Sequence, residues 1–215
     1  MKGRDGHRRK REQAREEVLG AALRLADEGP FHDVTIDQIA RAAGLSRSAF
    51  YTHFSDKHDL LLAALREVAE ELRREPEGWW DGDGPPAERV RQAITGVVSV
   101  YAEHASLLRV ATEVSTYDDE VRAFWASVME RFVAATADHI RSEQRAGLIP
   151  DALEARPTAE GLVWMVERSC YVYLSGGERE PERLVADVAP VWVAALYPGV
   201  IPADQLRTGH IRGPD

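Results

Sequence analysis

The apolar positions of the chain follow a helical rhythm along most of its length. Val18, Leu19, Ala22, Leu23 and Ala26 recur three and four residues apart, which places them on one face of a helix from about Glu12 to Glu28 that Gly29-Pro30 stops. Leu60, Leu61, Ala64, Leu65 and Val68 repeat the pattern from Lys57 to about Arg74. The spacing predicts a helix from Pro85-Pro86 past Ile94, Val97, Val98 and Tyr101 to about His104, and a shorter one over Leu107, Leu108 and Val110. A long stripe of Val121, Phe124, Trp125, Val128, Met129, Phe132, Val133 and Ile140 follows, opened by the capping pair Thr116 and Asp119 and closed by Gly147 and Pro150. Residues 158–175 are apolar nearly all round, and a last helix over Glu182 to Tyr197 contains Pro190, which should kink it. The expectation is an all-α chain of about nine helices.

The shortest segments carry the most information. In 34–57, VTIDQIARAAGLSRSAFYTHFSDK, Thr35 and Gln38 have the capping-box spacing, with Val34 and Ile39 at the staple positions around them. That helix should end at Gly44, and Ser46 can cap another one residue later. Two helices joined through about three residues with a Gly have the spacing of a helix-turn-helix. The second helix has an apolar side of Ala49, Phe50 and Phe54 and a polar side in which Arg47 pairs with Tyr51 and Ser48 with Thr52, four residues apart. Arg, Tyr, Ser and Thr on one exposed face suit guanine edges and phosphates. Arg47 and Lys57 also stand in the first turns of helices, where the macrodipole disfavours a cation and a docked phosphate would reverse that cost. The plainer alternative is a solvated face on a small helical domain.

The run TIDQIARAAGLSRSAFYTHFSDKHDLL resembles the DNA-binding segment of the TetR family of bacterial transcriptional regulators. Ala43, Gly44, Leu45 and Ser46 fit the family's turn, Tyr51, His53 and Phe54 its Tyr-x-(His/Tyr)-Phe, and Lys57 the start of its next helix. Ser48 stands where a Gly is frequent and Phe50 where an aliphatic residue is common, which bears on base preference and not on the fold. The resemblance implies that Arg47, Ser48, Tyr51 and Thr52, with Ser46 at the cap, meet bases and phosphates, while Thr35, His53 and Lys57 anchor the DNA backbone.

Charge is distributed to match. The 215 residues carry a net charge of -9, yet residues 1–57 hold 11 Lys and Arg against 9 Asp and Glu, so the excess acid lies behind them. The opening MKGRDGHRRKR lacks apolar groups and should be a disordered arm that reaches phosphates or the minor groove, or more plainly a solubilising tail. No run approaches a membrane span, no apolar segment follows the basic start, and the single Cys170 fits a reducing cytoplasm. EPEGWWDGDGPP reads as a loop whose Trp79 and Trp80 fold back onto the core.

EVSTYDDEVRAFWASVMERF, WMVERSCYVYLSGG and VWVAALYPG are similar in order and spacing to the ethionamide-repressor branch of the same family, which implies a C-terminal helical domain around an apolar ligand tunnel. Val163 and Val166 replace asparagines that branch members can place there, implying a drier pocket. Ile94, Val97, Tyr101, Trp125, Met129, Phe132 and Trp164 are the candidate lining, although such a stripe also reads as plain core. The all-round apolar helix calls for cover by a second subunit, with Glu167, Arg168, Tyr171, Val172, Val191, Trp192 and Leu196 as the candidate dimer interface. The seven histidines show no metal-ligand spacing with one another or with Cys170, and no phosphate-binding Gly loop appears, so neither enzyme, metal nor cofactor is expected. The expectation is a homodimeric repressor. An arm and helix-turn-helix over 1–57 would read a palindromic double-stranded operator, a helical regulatory domain over 58–197 would bind a small apolar effector, and 198–215 would form an irregular tail. A constitutive or activating regulator without a ligand switch, and a helical protein-interaction module, are the alternatives.

Overall fold

The computed structural model describes residues 2–74 and 84–199, so the expectations for Trp79, Trp80 and the tail from Val200 onward lie outside the described residues. Every described regular element is helical: α1 (Lys2–Glu28), a 3-10 turn (Phe31–Asp33), α2 (Ile36–Ala42), α3 (Arg47–Phe50), α4 (Lys57–Arg74), α5 (Pro86–Glu103), α6 (Ala105–Val114), α7 (Asp119–Arg145), α8 (Ala155–Leu174) and α9 (Pro181–Leu196). The basic opening differs from expectation, because its backbone continues α1 back to Lys2 instead of standing apart as an irregular arm. Arg and Lys are good helix formers, and extending a nucleated helix costs far less than starting one.

Local chemistry sets the short helices. Thr35 N–H donates to Gln38 Oε1 at 2.8 Å and Gln38 N–H to Thr35 Oγ1 at 3.3 Å, which completes the capping box at the start of α2. Gly44 then turns the chain with φ +70°, a conformation in which a β-carbon would be strained, and Ser46 accepts from Ala49 N–H to begin α3. The cap of α7 is Asp118 and not Thr116: its Oδ1 takes the N–H groups of Glu120 and Val121 at 3.0 and 2.9 Å, while the Thr116 hydroxyl donates to the Glu113 carbonyl. A carboxylate is the stronger acceptor at a positive helix end, and Asp118 immediately precedes the first helical residue.

The chain folds into two compact units that are not consecutive stretches. The first contains residues through Glu71 together with Glu103–Val128. Ile39, Phe50 and Leu65 are completely buried in it, each burial worth roughly 1.5–3 kcal/mol. α6 belongs here because it is tied to the end of α1 and the 3-10 turn: Phe31 N–H donates to the Glu113 carboxylate at 2.8 Å, and Arg109 donates to the Ala26 carbonyl at 3.0 Å and to Asp27 at 2.7 Å.

The second unit contains Leu72–Ala102 and the chain from Met129. Val98, Ile140, Leu184 and Leu196 lie in its core. A buried carboxylate, Glu143 of α7, joins three elements there. Arg89 of α5 donates to Oε1 at 2.8 Å, and the hydroxyl of Tyr197, which ends α9, donates to Oε2 at 2.7 Å. Burial and the Glu143 carboxylate both push the Tyr197 hydroxyl's pKa upward, so this phenol stays protonated and keeps donating.

Candidate DNA-binding surface and ligand cavity

In the first unit the polar side chains of α3 and the turn after it face solvent together. Arg47, Ser48, Tyr51 and Thr52 are exposed, while Phe50 and Phe54 are buried beneath them. Arg47 is held in place: its guanidinium reaches Asp37 of α2 at 3.3 Å and the Tyr51 hydroxyl at 3.5 Å, and lies 5.8 Å from the Tyr51 ring centre. The Tyr51 hydroxyl first and the Asp37 charge second raise its pKa. Ser48 Oγ stands 3.0 Å from Ser46 Oγ, and the Thr52 hydroxyl donates to the Ala49 carbonyl at 2.7 Å. His53 is half-buried, its ring centre 6.4 Å from that of Phe54. Thr35 is exposed at the start of α2.

Lys57 takes a place that sequence spacing does not reveal. Its ammonium donates to the carbonyls of Phe31, His32 and Val34 at 2.8, 2.7 and 2.8 Å and sits 5.1 Å from the Phe31 ring centre. An ammonium has three donors, so all are engaged inside the protein. Burial lowers its pKa against the opposing pull of Asp33 and Glu113. Its position in the first turn of α4 therefore has an internal explanation, as Arg47 has one in Asp37, and the helix-dipole argument for phosphate loses its force at both positions. The sequence also gave no sign of a second fastening, where His58 Nδ1 lies 2.8 Å from Asp118 Oδ2, in contact with Tyr117.

The second unit holds a cleft with about 60 Å³ of cavity space, partly open to solvent. Ile94, Val97, Tyr101, Met129 and Phe132 line it, joined by Leu72, Ala93, Ala135, Thr136, Val163, Val166, Glu167 and Trp192. Two expected lining residues lie elsewhere: Trp125 is buried in the first unit, and Trp164 is 39% exposed on the outside of α8. A helix turns 100° per residue, so Trp164 cannot share the inward face of Val163 and Val166. Glu167, Trp192 and Leu196, expected at a subunit interface, are instead buried inside the protomer at 5%, 6% and 0% exposure. The physical reason is that α8 and α9 pack on each other and turn these positions inward. Val172 and Val191 remain exposed at 43% and 48%, Arg168 is exposed and Tyr171 half-buried. The sequence signal for Glu167 and Trp192 was their place in apolar helices, but periodicity does not say which neighbour covers which face.

Cys170 is buried and free, its thiol pushed up to about 12 by burial and then by Glu167, which leaves it protonated and unreactive at neutral pH. Folding also brings Glu71, Glu103 and His104 within reach of one another, with His104 Nε2 2.9 Å from Glu71 Oε2. No helix among the described residues is long and apolar enough to cross a membrane.

Residues 18–64 match the tetR family of bacterial regulatory proteins, and residues 90–198 match the C-terminal domain of the transcriptional regulator EthR. The chain is 28% identical over 191 residues to the HTH-type transcriptional regulator EthR of Mycolicibacterium smegmatis, covering 86% of each chain. It is 28% identical over 187 residues to EthR of Mycobacterium tuberculosis, covering 84% of this chain and 85% of that one. Among solved structures, the transcriptional regulator FadR of Bacillus subtilis in complex with stearoyl-CoA superposes with a TM-score of 0.69 at 17% identity, over 85% of this chain and 99% of the other. That likeness shows the shared fold.

Proposed function

The chain belongs to the EthR branch of the TetR family of DNA-binding regulators, and from that premise we propose that it is a homodimeric repressor released from a palindromic operator by a small apolar effector. The observation that carries the reading is the common exposure of Arg47, Ser48, Tyr51 and Thr52, with Lys57 tying the start of α4 to the turn before α2. Arg47 contacts guanine or phosphate in place of its Asp37 partner, and the hydroxyls of Ser48, Tyr51 and Thr52 supply further contacts to bases and backbone. Thr35, His53 and the Ser46 cap meet the phosphates. Lys57 acts as a positioning residue that locks the turn between α1 and α2.

Two copies are needed because one recognition helix reads only a half-site, and a dimer places two in successive major grooves. Arg168, Tyr171, Val172 and Val191 on α8 and α9 are the supporting surface, since large apolar side chains left exposed there favour cover by a second copy. The effector occupies the cleft. α4 carries Lys57 in its first turn and the cleft residue Leu72 in its last, so it is the element through which occupancy shifts the population between DNA-competent and DNA-incompetent states. Enrichment of binding sequences from a random duplex library tests the reading: the expected product is a two-fold symmetric site with half-sites about one or more helical turns apart. A library that emerges without a preferred sequence would reject it.

A further inference from the structure

We infer that Glu71, Glu103 and His104 form a binding site for a divalent cation of the zinc type. All three belong to the first unit, and one ligand atom from each, two carboxylate oxygens and an imidazole nitrogen, lies within 4.8 Å of the others. Ligands of a tetrahedral zinc ion stand roughly 3.3–3.6 Å apart, so small side-chain rotations close the set around one. His104 is already turned toward the site, its Nε2 2.9 Å from Glu71 Oε2. Consecutive residues within a helix do not face each other, but His104 stands between α5 and α6 with φ -109° and ψ 23°, and this break lets its side chain converge with that of Glu103. Glu71 comes from the last turn of α4, 33 positions from His104, so no spacing of ligands along the chain discloses the set.

Charge points to the same occupant. Glu71 in the last turn of α4 and Glu103 at the end of α5 both stand at the negative end of a helix, where the macrodipole disfavours an anion and favours a cation. Among the described residues neither carboxylate pairs with a lysine or arginine, and α5 has no basic residue in its last turn. The mixed donor set narrows the ion: an imidazole nitrogen suits zinc, whereas magnesium and calcium take oxygen ligands. Three protein ligands leave the fourth tetrahedral position to water. With the side chains of His104 and Glu71 26% and 40% exposed and Glu103 exposed, the ion can enter from solvent. Bound there, it ties the last turn of α4 to the corner between α5 and α6.

The test is calorimetric titration of zinc chloride into the full chain stripped with a chelator, beside the same titration with magnesium chloride, with thermal midpoints measured in parallel. One zinc ion per protomer should bind, and equimolar magnesium should not displace it. Zinc at about a hundredfold excess over its dissociation constant should raise the midpoint by about 5 °C or more. Glu103→Gln and His104→Gln each remove a direct ligand and should weaken zinc binding about tenfold or more, at least the loss that follows removal of an outer-shell partner. Glu103 is exposed, so its variant carries the test if His104→Gln fails to fold. No zinc binding by the unaltered chain, displacement by equimolar magnesium, or binding undiminished in Glu103→Gln would overturn the inference. None of these measurements involves DNA or the cleft, so their failure leaves the proposed repressor function standing.

Discussion

The two units use polar side chains in opposite ways. In the first, polar groups stand outside and apolar ones are buried: Arg47, Ser48, Tyr51 and Thr52 are exposed, Phe50 and Phe54 are not, and Lys57 ties α4 to the turn before α2 with three carbonyl contacts. In the second, polar groups lie inside. Glu143 is enclosed by Arg89 and Tyr197, and Glu167 by the wall of an incompletely filled cleft. A recognition surface requires fixed geometry, so short helices that would not persist alone are pinned by caps and a clamp. A cleft that admits varied occupants requires space and a few decisive groups, so long helices hold each other through apolar stripes and leave room between them.

The largest effect should come from the outward layer. Arg47→Ala is expected to lose about 1–3 kcal/mol of operator binding per recognition helix, and so twice that in a dimer, with the oligomeric state unchanged. Equilibrium binding to the enriched operator, paired with light scattering, checks both halves. Next comes the clamp. Lys57→Met leaves three carbonyls without their charged donor and should cost about 3 kcal/mol or more of stability, read as a lower thermal midpoint; DNA binding would weaken even though the side chain itself touches no DNA. A variant with unchanged midpoint but weakened binding would instead make Lys57 a direct phosphate contact. The inward tie should respond less. Tyr197→Phe removes one donor from buried Glu143 and is expected to cost about 1–3 kcal/mol in urea denaturation, with operator affinity of the folded protein retained. The smallest effect is at Cys170, whose thiol, pushed up to about 12, should resist iodoacetamide at neutral pH in the native state and react once urea unfolds the chain.

The same contrast explains what the sequence could disclose. The capping box of Thr35 and Gln38, the Ser46 cap and the Gly44 turn are set by residues within a few positions of one another, so spacing alone predicts them, and the long apolar stripes predict helices to within a turn or so. The Lys57 clamp joins atoms across 23 to 26 positions, and the Arg89, Glu143 and Tyr197 tie spans 54 on either side of its carboxylate. No local pattern encodes either. The extent of α1 was missed because a stretch without apolar groups gives no periodicity, although its residues form helix readily. In the cleft, the stripes of α5 and α7 placed Ile94, Val97, Tyr101, Met129 and Phe132 on the inward face. Glu167 and Trp192 are buried within the protomer, which the sequence did not show because a helix apolar nearly all round does not reveal which face meets its own protomer. Trp164 shows the converse: a large aromatic next to a lining position looks inward by composition and lies outward by helical geometry.

Fluorescence anisotropy of the chain on labelled DNA from upstream of its own gene, against a scrambled duplex at about 0.15 M salt, tests most directly whether the outward polar layer reads sequence. The account predicts tight binding confined to the native duplex and lost with Arg47→Ala. Equal affinity for both duplexes, or native binding undiminished in Arg47→Ala, would contradict it.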